Sequence, residues 1–379
     1  MKNNKAKLLA AAVAMGISAQ ASAAIELYNT DGTTFSVDGY FNTFYVHSST
    51  DDETGLGVDR DQSRVKMGFL PNYIGFNFSK QIDDLTIGGR SSFWVSINDS
   101  DAVRADAQGR GESLGTDSGI DVRQFYATVD GSFGQVLVGK DFGLFGRAII
   151  LGDELLIGYG QSSDTLGLID GGNVSFGNIG SGYTYPFPKA QITYRSPVNN
   201  GFQFAIGAMD PNKQLAGNSE ESAPRFETEL TYTSDMFSAN LSGLFQSSDD
   251  TSGAGEDVDT TGFAGGIKVK AGGFALGLSA THTEGTGIAG LDTLIVSEDV
   301  ETDSYLAQLS YTAGATRFVL SYGESETDNG VTSSDYENTA VGIFHSVNSN
   351  LILIGEYNIT EVEDVEENDT IALGAVVTF

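Results

Sequence analysis

Residues able to carry enzyme chemistry are few and widely spaced in this sequence. The chain contains three histidines, His47, His282 and His345, and no cysteine. None lies in an HExxH pattern, in which two histidines one helical turn apart bind zinc and the glutamate acts as a base. His282 or His345 acting with a serine and an acid stays an alternative, but the spacing of these residues favours a protein without catalytic activity.

Charged side chains stand out in one long segment that lacks the alternating pattern of its surroundings. Residues 144–188 include ten glycines among 45 residues. Its charged residues are one base and four acids: Arg147, Asp153, Glu154, Asp164 and Asp170. A loop of this length inside a compact domain is usually functional or disordered, and its apolar patches argue against disorder. We therefore predict a folded loop that sets the size and charge of an opening.

The first 23 residues have the features of a secretory signal peptide. Three lysines precede a short apolar core, and small residues follow it, so we expect cleavage between Ala23 and Ala24. The apolar core is too short to span a bilayer. Residues 24–379 then hold 17 basic residues against 51 acids, a net charge of −34. A chain this acidic is a poor partner for nucleic acid, which is bound by clustered Lys and Arg.

From Thr33 onward, apolar and polar residues alternate. In residues 225–233, RFETELTYT, Phe226 and Leu230 fall on one side. Glu227 and Glu229 fall on the other. Because successive side chains of a strand point to opposite faces, each such segment is predicted to be a strand with one apolar and one polar face.

About sixteen such segments follow one another, joined by connections that alternate between short and long. The acids collect in the long connections, such as residues 51–61 and 361–367. A soluble β-sandwich would also alternate, but short turns at one end and long polar loops at the other are typical of a transmembrane barrel. In lipid, only helices and closed sheets pair every backbone group. The sequence thus predicts an all-β protein, an antiparallel transmembrane barrel of about 16 strands with the long segment 144–188 folded into its mouth.

Several fragments resemble the general porins of Gram-negative bacteria, and the resemblance covers essentially all of residues 24–379. AIELYNTDGTTFSVDGYFNTFYV looks like their first strand, and IGFNFSKQIDDLTIGGRSSFW like their second and third. RQFYATVDGSFGQVLVGKDFGLFG resembles the hairpin before their third loop, and ITYRSPVNNGFQFAIG the hairpin after it. The terminal Phe379 matches their terminal aromatic residue.

This resemblance implies a homotrimer in the outer membrane whose third loop, residues 144–188, narrows the pore. By position, the loop carboxylates would be Asp153, Glu154, Asp164 and Asp170, and the facing wall cations Arg90, Arg123 and Lys140. Phe379 would be the signal for the outer-membrane assembly machinery. One departure is that Arg64 and Lys66 precede an extra segment around Pro71, which leaves their position on the wall open.

The expected function is a water-filled channel for passive diffusion of small hydrophilic solutes, with a preference for cations because acids dominate. A substrate-selective porin for sugars or anions is the first alternative, and a surface adhesin or receptor barrel is the second. No cofactor or metal is expected. Ca²⁺ or Mg²⁺ bridging the outer acids to lipopolysaccharide is a further alternative, since both ions prefer carboxylate oxygens.

Overall fold

The structure is a computed structural model. It describes residues 24–57, 59–97, 120–162, 175–214, 219–253, 255–288, 291–295, 297, 299–331 and 333–379. The expected signal peptide lies outside the described residues. None of the described helices is of the length and apolarity that a membrane crossing requires.

Strands make up most of the described chain, and one short helix, α1 (Arg147–Gly152), follows the seventh of them. The strands are β1 (Ile25–Thr30), β2 (Thr33–Asp52), β3 (Arg60–Lys66), β4 (Asn72–Ile82), β5 (Leu85–Val95), β6 (Ile120–Gly131), β7 (Gly134–Phe142), β8 (Pro188–Arg195), β9 (Phe202–Met209), β10 (Ser219–Glu220), β11 (Arg225–Thr233), β12 (Phe237–Asp250), β13 (Val258–Ala271), β14 (Phe274–Glu284), β15 (Thr286–Ile288), β16 (Leu291–Ile295), β17 (Glu301–Ala313), β18 (Thr316–Asp328), β19 (Ser333–Ser346), β20 (Leu351–Val362) and β21 (Glu366–Thr378).

Nineteen of these strands form one antiparallel sheet that closes on itself. Strands β1 and β10 are short additions to the sheet. Strands β3 and β4 both pair with β2 and together form one broken strand of the wall, so the described barrel wall has sixteen strands. Closure is made by β2 and β21, whose ladder runs from Tyr40 opposite Thr378 to Asp52 opposite Glu366. The predicted sixteen-stranded barrel is confirmed.

The second strand of the wall, made of β3 and β4, is broken by the extra segment around Pro71. Strand β3 pairs with residues 44–50 of β2, and β4 pairs with residues 33–40. The intervening residues 67–71 are turned into the barrel, where Met67 and Phe69 are buried. A proline at such a break costs no ladder hydrogen bond.

The two faces of the wall follow the predicted alternation. In β11, Arg225, Glu227 and Glu229 point inward and are buried, whereas Phe226 and Leu230 are 43% and 44% exposed on the outer surface. The same outward apolar pattern recurs around the barrel, as a lipid-facing band requires. The buried apolar clusters lie inside the barrel, where the long segment between β7 and β8 packs against the wall.

The C-terminus completes the closure of the barrel. The backbone N–H of Phe379 donates to the carbonyl of Gly39 at 3.1 Å, and the Gly39 N–H donates back at 3.0 Å. The Phe379 ring stacks on Phe41 with 5.9 Å between ring centroids. A Cβ at Gly39 would come within 2.3 Å of this ring, so glycine is needed there for the close approach.

Candidate functional site

The long loop enters the lumen through a tight turn held by a wall carboxylate. Glu227 on β11 accepts hydrogen bonds from the backbone N–H of Leu144 at 2.6 Å and of Phe145 at 2.9 Å. Arg225 holds the other Glu227 oxygen at 2.6 Å. Gly146 has a positive φ of 71°, and a Cβ there would lie 2.7 Å from the carbonyl oxygen of Thr184. The turn therefore needs glycine for both conformation and space.

Helix α1 then runs along the wall with one apolar side buried. Ile149 and Ile150 pack in a cluster with Phe69, Tyr183 and other buried residues of the wall and loop. Arg147, at the start of the helix, lies 3.8 Å from Glu229 on β11. The helix is thus fixed between an apolar cluster and an ion pair.

Asp153 follows the helix and is a hydrogen-bond hub rather than a carboxylate exposed to the lumen. It is 7% exposed. Its oxygens accept from Tyr183 Oη at 2.7 Å and from Gln308 Nε2 of β17 at 2.6 Å. They also accept from Asn178 Nδ2 and from the backbone N–H of Leu155. Because each oxygen has several donors, Asp153 ties the two halves of the loop to each other and to the wall.

Glu154 is joined to two wall cations. Lys268 Nζ of β13 lies 2.5 Å from one carboxylate oxygen, and Arg317 of β18 forms an ion pair with the other. Arg317 also donates to the backbone carbonyl of Glu154 at 2.7 Å, and Lys268 to that of Gly152 at 3.0 Å. Ion pairs that also satisfy backbone acceptors are well placed to hold a loop.

The part of the loop that follows Glu154 is held by β20 and β21. Glu356 accepts from the backbone N–H of Tyr159 at 3.2 Å and of Gly160 at 2.5 Å. Ser162 Oγ lies 2.9 Å from Thr370 Oγ1. The described parts of the loop therefore follow the inner wall from β11 to β21.

The inward segment 67–71 forms a wedge between the wall and this loop. The Phe69 N–H donates to the carbonyl of Gly158 at 3.1 Å, and a Cβ at Gly177 would meet the Phe69 ring at 2.6 Å. Asn42 on β2 holds the wedge by accepting from the Gly68 N–H at 2.5 Å and donating to the carbonyl of Leu70 at 2.7 Å. The wedge thus belongs to the same packed unit as the loop.

Removing the wedge side chain in Phe69→Ala is expected to loosen the loop. Truncation of a buried phenylalanine typically costs about 3–5 kcal/mol, and here the cavity would lie between loop and wall. We expect faster exchange of the backbone amides around Gly158, measured by hydrogen exchange in detergent. Phe76→Ala, an outward phenylalanine on β4, is the control, and equal exchange around Gly158 in the two variants would contradict a wedge role.

Two of the expected wall cations, Arg90 and Arg123, lie in strands and have different partners. Arg90 binds Asp38 with its Nη1 at 2.7 Å and Nη2 at 3.0 Å, and its ion-pair partner among the described residues is therefore not a loop acid. Arg123 pairs with Asp121 at 2.8 Å and donates to Tyr185 Oη of the loop at 3.0 Å.

Lys140 lies on the opposite face from its expected position. It is directly opposite Phe125, which is 61% exposed on the outer surface, and directly opposite residues share a sheet face. Lys140 therefore lies on the outer wall, and the expectation that it faces the loop is wrong. Asp164 and Asp170 lie outside the described residues, so their expected roles stay predictions.

Lys268 and Arg317, which contact the described loop acid Glu154, are not predicted from the sequence. Both occupy inward positions of regular strands, as does Gln308, and alternation alone could have placed them in the lumen. Their partner could not be foreseen, because it depends on the path of the loop. The break at residues 67–71 also settles where Arg64 and Lys66 lie: opposite Val46 and Phe44, on the inner face of β3.

The pH dependence of the loop follows from the Glu154 contacts. Burial would raise the pKa of the Glu154 carboxyl, but Lys268 and Arg317 outweigh it and hold that pKa below its usual value of 4.5. A lowered pKa in the folded protein contributes stability at higher pH, and this contribution is lost as pH falls through the lowered value. We expect the electrical noise of single channels to stay constant from neutral pH to below 4.5 and to rise only at lower pH. In Lys268→Gln the rise should occur at higher pH; an unchanged onset in that variant would contradict the assignment.

Between the loop helix and the short-turn end of the barrel lies a cavity of about 880 Å³. Its lining includes Arg90, Arg147 and Arg195 together with Asp130, Asp141 and Tyr126. Neither Asp153 nor Glu154 is among the described residues that line it. Within the described chain, no group of three or more His, Asp or Glu side chains is arranged to hold a metal ion.

Comparison with known proteins agrees with this architecture. Several solved structures share the fold: the outer membrane channel DcaP of Acinetobacter baumannii has a TM-score of 0.66 at 15% identity, covering 93% of this chain and 99% of that one. An anion-selective porin from Comamonas acidovorans has a TM-score of 0.66 at 16% identity, with 92% and 100% covered. A trimer form of OmpT, an outer membrane protein of Vibrio cholerae, has a TM-score of 0.56 at 15% identity, with 92% and 100% covered.

Sequence comparison supplies the family. No curated protein sequence gives a significant match. The family model described as "Gram-negative porin" matches residues 9–364, nearly the whole chain. Together with a closed sixteen-stranded barrel and a loop folded against its inner wall, this match shows that the chain belongs to the Gram-negative porins and is a channel protein of the outer membrane.

Proposed function

We propose that this porin lets small hydrophilic solutes and ions diffuse passively across the outer membrane, with a preference for cations. The observation that carries the proposal is the charged cavity of about 880 Å³ left beside a loop that is tethered along the inner wall. Opposed charges across a narrow, low-dielectric opening create a field that selects solutes by charge and dipole.

The cation preference is supported by a row of carboxylates on the outer face of the barrel, towards its long-loop end. Five acids stand directly opposite one another across β2, β21, β20, β19 and β18: Asp51, Glu367, Glu361, Glu337 and Glu324. Like charges directly opposite each other destabilise a sheet. The five carboxylates therefore do not contribute to the stability of the barrel through their mutual contacts. Their field would raise the cation concentration near the mouth.

Anion selectivity is the second candidate, and a specific observation favours it. The first turn of the loop brings Arg147 to the cavity beside Arg195 of β8, so the loop contributes a cation there. One solved neighbour is itself described as an anion-selective porin.

The reversal potential of single channels under a KCl gradient separates these candidates. We expect purified protein in planar bilayers to give open steps with a cation-selective reversal potential. An anion-selective potential would keep the channel and assign its control to the arginines of the cavity. Absence of steps from folded, heat-modifiable protein would overturn the channel proposal itself.

We extend the proposal to assembly and partners. A homotrimer is supported by the trimer form of one structural neighbour. Three further proposals come from the sequence. Residues 1–23 are removed by cleavage between Ala23 and Ala24, and Phe379 is recognised by the assembly machinery. Ca²⁺ or Mg²⁺ bridges the outer acids to lipopolysaccharide. Steps that appear in threes in the bilayer recording would support the trimer.

A further inference from the structure

The cavity at the short-turn end has an uneven distribution of charge. On its loop side, Arg195 lies 2.7 Å and Arg147 3.8 Å from the same carboxylate, Glu229. Two guanidinium groups sharing one carboxylate leave one positive charge in excess. Arginine presents several N–H donors in a planar fork that suits a carboxylate, and Arg147 makes only this ion pair with the described residues.

The wall on the other side of the cavity carries a negative excess. Asp130 accepts hydrogen bonds from Thr128 at 2.8 Å and from Gln135 at 2.7 Å. Asp141 accepts from Gln124 at 2.9 Å. All three donors are neutral, so two carboxylate charges are stabilised by hydrogen bonds without being cancelled by the group that binds them.

The other charges that line the cavity are one balanced ion pair and two acids at its rim. Arg90 is matched by Asp38, with two hydrogen bonds to the two carboxylate oxygens. Asp83 and Asp84 lie in the turn between β4 and β5, at the rim of the cavity.

The positive and the negative side of the cavity are close enough for one small molecule to reach both. Arg195 is directly opposite Gln135 of β7, and Gln135 is directly opposite Asp130 of β6. Directly opposite residues stand about 5 Å apart, so the positive and negative positions lie on the order of 10 Å apart along this row. Arg195 also interacts electrostatically with Asp141.

The two loop acids that the structure describes, Asp153 and Glu154, play no part in this arrangement. Asp153 and Glu154 are occupied by donors from the loop and the wall. Among the described residues, the loop therefore offers a cation to the cavity while the barrel wall offers the anions.

We propose that this cavity is a binding subsite for small zwitterionic solutes that carry a carboxylate and an ammonium group, such as amino acids and short peptides. The carboxylate binds Arg147 and Arg195, and the ammonium group faces Asp130 and Asp141. This inference rests on the proposed channel function and names a solute class for it.

The test is the partial block of single-channel current in wild-type protein by diglycine. The comparison solutes are N-acetylglycinamide, which is uncharged, acetate and ethylammonium. We expect diglycine to block at a lower concentration than any of the three. In Arg147→Gln and Asp141→Asn the half-blocking concentration of diglycine should rise roughly threefold, the scale of one partly exposed charge contact. Lys140→Gln removes a charge from the outer wall and should leave the block unchanged.

The outcomes separate the subsite from the channel. Channels that open normally but are blocked equally by diglycine and N-acetylglycinamide would overturn the subsite and leave the channel intact. Block by acetate as strong as that by diglycine would overturn the zwitterion assignment in favour of an anion site. Absence of channels would overturn the proposed function. If Arg147→Gln does not fold, the four-solute comparison on wild-type protein still decides, and Arg147→Lys, which keeps the charge, should retain most of the block.

Discussion

The double variant Lys268→Gln/Arg317→Gln is expected to open as a larger and noisier channel than the wild-type protein. Both wall cations of Glu154 are lost, together with the donors to the carbonyls of Gly152 and Glu154. Breaking a buried ion pair by removing one partner typically costs about 3–5 kcal/mol, because the remaining charge is left uncompensated. The loop should then leave the wall for part of the time.

Single-channel recordings in planar bilayers measure this effect as a rise in mean conductance and in current noise. Lys270→Gln is the matched control: it removes the same charge from the same strand and the same inward face, two residues away. Wild-type conductance and noise in the double variant would show that the Glu154 contacts do not hold the loop.

Replacing the terminal residue, in Phe379→Ala, is expected to reduce the folded protein in the outer membrane several-fold. The variant loses the ring that stacks on Phe41 and covers Gly39 where β2 and β21 close the barrel. It also loses the aromatic terminus expected to direct assembly. The measurement is the fraction of heat-modifiable protein in outer-membrane extracts.

A control separates assembly from stability. Val377→Ala shortens another outward apolar side chain of β21, two residues before the terminus. If Phe379 directs assembly, Phe379→Ala should refold in detergent nearly as well as Val377→Ala but accumulate far less in cells. Equal accumulation of the two variants would remove the case for Phe379 as a signal.

The wall of the barrel was predictable from the sequence because alternation reports directly on which face a residue takes. Alternation predicts Glu227 and Glu229 on the polar face of β11, and both are buried inside the barrel. The same reasoning would have placed Lys140 outside, since it has the same parity as Val138, which is 47% exposed. The family resemblance suggested the opposite, and local periodicity was the better guide.

The partners of the loop could not be predicted, since they depend on a path that no local pattern encodes. The sequence identifies Asp153 and Glu154 as charged loop residues. Nothing in their neighbourhood indicates that Gln308, Lys268 and Arg317, more than a hundred residues away, would meet them. The wedge at residues 67–71 was likewise visible only as an interruption around Pro71.

A designed disulfide between loop and wall tests most directly whether the loop lies inside the barrel. Ser162 Oγ and Thr370 Oγ1 are 2.9 Å apart, and the chain has no cysteine of its own. In Ser162→Cys/Thr370→Cys, mild oxidation should therefore cross-link nearly all of the folded protein, read as a shift in gel mobility that a reductant reverses. Ser162→Cys/Thr339→Cys, whose second cysteine would lie on the outer face of β19, should not cross-link. Folded Ser162→Cys/Thr370→Cys barrels whose two thiols stay reduced and react fully with a small maleimide would contradict a loop held against the inner wall.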